Sequence, residues 1–101
     1  MMLEVLVAMV QAAPNRTDAE VIVLEAPRPA PASDQVEFEV ELVAAHAVPG
    51  QAEMLGSHVG QRLLVRARRE WLPDVRAGAR IRLLLEFVGP GMPLQLRPGT
   101  E

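Results

Sequence analysis

The sequence predicts an all-β domain, a small closed barrel of five short strands with one brief helical turn. Three features carry that reading. Apolar side chains recur with a period of two along residues 35–46, 61–71 and 79–88. A strand with one buried face requires that period, because successive side chains point to opposite sides of the pleat. The segments between the runs are built from Pro, Gly, Asn and Asp, the residues that set turn geometry. Finally, the runs follow one another as strand, strand, strand, short helix, strand, strand.

Taken in order, residues 3–12 (LEVLVAMVQA) are apolar on nearly both faces and fit a strand covered on both sides. A signal peptide is disfavoured there. Glu4 stands where a basic region belongs, and the apolar run Val5 to Val10 is short of the ~7–15 residues expected. It is also far short of the ~20 residues of a membrane helix, so a cytoplasmic location is expected. Pro14-Asn15-Arg16-Thr17-Asp18 is turn chemistry, and residues 20–25 (EVIVLE) form a β-branched strand. Residues 26–34 carry Pro27, Pro29 and Pro31 at alternate positions, a stiff exposed loop.

Residues 35–46 give the cleanest strand, with Val36, Phe38, Val40 and Leu42 inward and Glu37, Glu39 and Glu41 outward. Pro49-Gly50 ends it. Residues 51–56 suit one or two helical turns, with Met54 and Leu55 as apolar contacts. Residues 61–71 and 79–88 then read as a β-hairpin. Leu63, Val65, Ala67 and Trp71 share one face of the first run, and Ile81, Leu83, Leu85 and Phe87 one face of the second. Residues 72–78 (LPDVRAG) supply the turn. After Pro90-Gly91, residues 92–97 alternate again, with Met92, Leu94 and Leu96 on one edge.

This order matches a five-stranded OB-type Greek-key barrel; an SH3-like barrel or a small β-sandwich fits the same pattern less closely. Residues 1–91 form the barrel, and 92–101 a tail that adds an extra strand or docks on a partner. At 101 residues with half of them apolar, the chain suffices for one domain with a real core. It has no Cys, which removes disulfides and thiolate metal sites.

Charge is unevenly spread. Residues 1–50 hold Arg16 and Arg28 against eight acids, whereas seven Arg (62, 66, 68, 69, 76, 80 and 82) crowd between 62 and 82 with only Glu70 and Asp74. Two readings follow. The Arg faces, with Trp71, can form a track for single-stranded nucleic acid through Arg62, Arg66, Arg68, Arg80 and Arg82. Alternatively, they pair with Glu37, Glu39 and Glu41 on a neighbouring strand as a solvated ladder. The net charge of −3 and the three aromatic residues, two of them on core faces, favour the ladder.

No catalytic pattern is present. His46, His58 and Glu53 lack metal-ligand spacing, and Ser57-His58 are sequence neighbours without a third partner. Gly89-Pro90-Gly91 lacks the Lys of a phosphate loop. The expectation is therefore a non-catalytic binding module without cofactor or metal. Its partner is a protein or a second copy, engaged through Met92, Leu94 and Leu96; single-stranded nucleic acid is the alternative partner.

Overall fold

The computed structural model describes residues 14–99. Six strands lie along them: β1 (Thr17–Val23), β2 (Arg28–Pro29), β3 (Val36–Ala47), β4 (Arg62–Ala67), β5 (Arg80–Glu86) and β6 (Leu94–Leu96). Two 3-10 turns interrupt the loops, at Gly56–His58 and Arg69–Trp71. The strands hydrogen-bond in the order β1-β5-β6-β4-β3-β2, and β1 also pairs with β3. Five of them therefore close a barrel, and β2 lies outside it. Every pair is antiparallel except β4 with β6.

The period-two pattern decides what faces inward. Thr17, Ala19, Val21 and Val23 of β1, Val36, Phe38, Val40 and Leu42 of β3, and Val65 and Ala67 of β4 are all buried. Leu83 and Leu85 of β5 and Leu94 and Leu96 of β6 complete the interior, with Leu55 entering from the turn before β4. Strand β3 is long enough to serve two walls: it pairs with β4 through Val36–Glu41 and with β1 through Val40–Ala47. A bulge at Glu20/Val21, with Val43 as the extra residue of β3, bends β3 just beyond the end of its β4 pairing, since Val21 faces Leu42 while Glu20 faces Ala44.

Two glycines are required by the turns. Gly78 has φ +87°, and its N–H donates to the carbonyl of Val23 at 2.7 Å while Val23 N–H donates to Ala79 O at 2.8 Å. That exchange fixes the register of β5 on β1. Gly91 has φ +75° in the tight turn, closed by Met92 N–H to Gly89 O at 3.1 Å, that directs the chain into β6.

The all-β barrel agrees with the sequence pattern, but its strands are assembled differently. Residues 61–71 and 79–88 do not pair as a hairpin: β6 stands between β4 and β5. The alternation of Leu94 and Leu96 gives the last segment a buried face of its own, and the long connection 68–79 lets β4 and β5 pair with β3 and β1 instead. The last segment is thus the fifth barrel strand. The strand expected at 3–12 lies outside the described residues. Strand β4 stops at Ala67, because Leu72 N–H turns back to Arg69 O and Trp71 N–H to Arg68 O in the second 3-10 turn. Trp71 is half-buried against the core, with the Arg68 guanidinium 5.2 Å from its ring centroid.

The helical turn expected at 51–56 falls at Gly56–His58. Glu53 sets its position. One carboxylate oxygen accepts from Leu55 N–H at 2.6 Å and from the Thr17 hydroxyl at 3.1 Å, and the other from Gly56 N–H at 3.2 Å. A carboxylate taking the first free N–H groups starts a helical turn at that point.

Candidate functional site

The barrel is weakest where it closes. Strand β6 is three residues long and pairs with β4 only at Val65 and Arg66, and with β5 only at Leu85 and Glu86. The edge of β4 from Arg62 to Leu64 therefore has no strand beside it among the described residues. Next to that edge lies an apolar hollow of about 160 Å³, lined chiefly by Leu55, Leu63, Leu64, Phe87, Met92 and Leu94. His58 stands at its border.

Each wall follows from local chemistry. Consecutive leucines at 63 and 64 break the alternation, so both faces of β4 are apolar at its open edge. Phe87 follows the last residue of β5 and is held by Asn15. The Asn15 carboxamide donates to Phe87 O at 2.9 Å and accepts from Phe87 N–H at 2.8 Å. That pair of bonds replaces a strand ladder where β5 has run out of partners. Asn15 is buried and is also bridged to Ala52, beside which Arg16 N–H donates to Ala52 O at 3.1 Å.

The large apolar side chains exposed among the described residues are Val59, Val88 and Met92, exposed by 48, 42 and 56%. Of the three, Met92 is the one that lines the hollow, and the two valines adjoin its wall residues His58, Phe87 and Gly89 in sequence.

The structure splits the segment expected to dock on a partner. Met92 faces solvent at the rim of the hollow, Leu94 lies between hollow and core, and Leu96 is 3% exposed inside the barrel. Leu55, Leu64 and Phe87 belong to the hollow without having been singled out for it. The doubled leucine at 63–64 was the one signal in the sequence.

The arginines do not converge. Arg80 reaches Glu20 at 2.5 Å, and Arg82 holds Asp18 with two bonds of 3.1 and 2.6 Å. Each crosses diagonally from β5 to β1, the spacing at which long side chains on neighbouring strands meet. The hydrogen bonds from Arg82 to Asp18, and then the charge of Asp18, raise the Arg82 pKa above its ordinary value. On the other wall, Arg66 lies 3.4 Å from Glu37, and Arg28 of β2 lies 3.6 Å from the same carboxylate. Arg68 is 3.9 Å from Glu70. Arg62 is exposed and has no ion pair among the described residues.

The acidic stripe is therefore divided. Glu37 is nearly buried in a cross-strand row between Arg28 and Arg66, whereas the β5 arginines use Asp18 and Glu20. Strand β1 intervenes between β3 and β5, so the ladder expected to join Glu37, Glu39 and Glu41 to the last long strand does not form.

The remaining candidates are dispersed. Glu53 spends its oxygens on backbone N–H groups, His58 Nδ1 contacts Ser57 Oγ at 3.3 Å, and His46 is exposed on β3. Among the described residues no three His, Cys, Asp or Glu side chains gather as a metal site, and no helix is long and apolar enough to cross a membrane. Comparison with protein-family models, with curated proteins and with solved structures finds no match.

Proposed function

We propose that this protein is a non-catalytic binding module on an OB-type barrel, which holds an extended apolar segment of a protein partner at the open edge of β4. The barrel order β1-β3-β4-β6-β5, closing back to β1, with its single parallel pair between β4 and β6, supports the OB-type reading. The observation that carries the function is the coincidence of an apolar hollow with a strand edge that no described strand pairs. A segment adding as a strand gains main-chain hydrogen bonds from the edge, and its alternate side chains gain specificity from a pocket. The size of the hollow fits one apolar anchor side chain, since pockets for drug-sized molecules run to about 300–1,000 Å³.

Single-stranded nucleic acid is the weaker reading. Four of the five arginines that would form its track have a carboxylate within 4 Å, Trp71 is half-buried, and β4 and β5 are not adjacent. The test is selection of displayed peptides on the intact protein, followed by Met92→Glu. Selected sequences should alternate apolar residues, and a carboxylate at the pocket mouth should weaken them at least about tenfold, or 1.4 kcal/mol. Peptides indifferent to Met92→Glu, or salt-sensitive binding of labelled oligonucleotides instead, would overturn the proposal.

A further inference from the structure

We propose that the partner segment added at this edge carries an acidic side chain immediately beside its apolar anchor and an aliphatic one on the anchor's other side. The inference rests on the docking reading above and names the chemistry of that partner. The register of β4 sets the pattern. Leu63 lies across from Val40 of β3, which is buried, so Leu63 takes the inward face; Arg62 and Leu64 take the outer face, across from Glu41 and Glu39. Strand β6 occupies the same edge from Val65 onward, which leaves Arg62 to Leu64 for the added segment. On a strand laid there, the residue opposite Leu63 shares its inward side and enters the hollow that Leu63 and Leu64 line. Its two neighbours in the segment stand on the outer face, one opposite Arg62 and the other opposite Leu64.

Charge selects the first of these neighbours. The other arginines on β4 and β5, Arg66, Arg80 and Arg82, each hold a carboxylate. Arg62 is exposed and has no ion pair among the described residues, although Glu41 is its register partner. A carboxylate opposite Arg62 stands one strand away, with Cβ atoms about 5 Å apart, and two strands, about 10 Å, from Glu41. Screening at physiological ionic strength sets in at about 8 Å, so attraction to Arg62 outweighs repulsion by Glu41. Among the described residues that line the hollow there is no acid, and the one ionisable side chain is His58. The second neighbour meets Leu64, an aliphatic side chain half-buried on the outer face, and covers it best with an aliphatic group of its own.

The probes are the displayed peptides selected on the intact protein, resynthesised with the acidic residue kept, changed to its amide, or changed to Lys. Each is titrated against the native chain, Arg62→Gln and Arg62→Glu; the exposed position lets both variants fold. Loss of the peptide carboxylate should weaken binding to the native chain by about threefold or more at low salt, the scale of a cross-strand ion pair. It should leave binding to Arg62→Gln unchanged, and Arg62→Glu should prefer the Lys peptide. In ~1 M salt the difference should fade. Equal losses on the native chain and Arg62→Gln would overturn the inference. Peptides that alternate apolar residues and respond to Met92→Glu, yet carry no acid beside the anchor, would overturn it and leave the docking reading standing. Enrichment of Lys or Arg at that position would overturn it by making Glu39 and Glu41 the recognised charges. Selection of no peptide would overturn both readings together.

Discussion

Replacing Leu96 by Ala tests whether the last segment closes the barrel. Leu96 is 3% exposed, lies on a strand of only three residues, and faces Leu85 across the β5–β6 pair. Leu→Ala in a core removes the transfer free energy of the lost atoms and leaves a cavity, together about 2–5 kcal/mol. The interior here is enclosed by five hydrogen-bonded strands and collapses poorly, which places the change near about 3–4 kcal/mol. A domain of this size loses about 4–8 °C in Tm for each kcal/mol, so the variant should melt about 12–30 °C lower. Total stability is on the order of 5–15 kcal/mol, so Leu96→Ala still folds but with a visibly reduced urea midpoint. Urea unfolding followed by Trp71 fluorescence, with scanning calorimetry alongside, gives both numbers. Met92→Ala, at a residue 56% exposed, is the control and should stay within about 0.5 kcal/mol. Equal, small effects at 92 and 96 would mean that residues 94–96 are not part of the wall.

Asn15→Ala removes both hydrogen bonds to Phe87 and strands a partly buried N–H and C=O, which should lower stability by about 2–4 kcal/mol in the same urea titration. A loss below 0.5 kcal/mol, taken as the threshold for a surface change, would mean that water replaces the carboxamide. Glu37→Gln neutralises a carboxylate whose side chain is 8% exposed beside Arg66; with Arg66 itself 31% exposed, the cost is about 1–2 kcal/mol, against no measurable change for Glu39→Gln. Equal effects at 37 and 39 would show that the row between β2, β3 and β4 carries no special weight. Asp18→Asn breaks an exposed pair, so any fall in Tm should appear at low ionic strength and vanish in ~1 M salt, where the Debye length is about 3 Å. A loss that persists in high salt would mean that Asp18 acts through packing.

Much of the wall was legible because burial and period coincide. Val36, Phe38, Val40 and Leu42 face inward as their spacing requires, and so do Val65, Ala67, Leu83 and Leu85. Strand partners were not legible, because alternation says which face a residue takes and nothing about its neighbour. Two adjacent amphipathic runs look like a hairpin whether or not a third strand enters between them. The short strand Leu94–Leu96 did so, and only its length made it resemble a tail. The hollow was still harder to see. Leu55, Phe87 and Met92 come from three separate loops or strand ends, and their meeting depends on Asn15 and Glu53, polar residues whose hydrogen bonds span 72 and 36 positions.

The closing strand explains why stability and openness compete at one seam. A longer β6 would pair with β4 through Arg62 and cover the edge that no described strand pairs; a shorter one would leave β4 and β5 unjoined. With two residues paired on each side, β6 closes the core through Leu94 and Leu96 yet stops before Leu64. Unprotected strand edges invite pairing with other chains, and proteins normally blunt them with charge, proline or a bulge. β2 follows that rule, carrying both Arg28 and Pro29. The open part of β4 carries one charge, Arg62, followed by two leucines above an apolar hollow. Among the described residues, this stretch of edge is protected more lightly than β2, which is why the proposed strand addition is placed here.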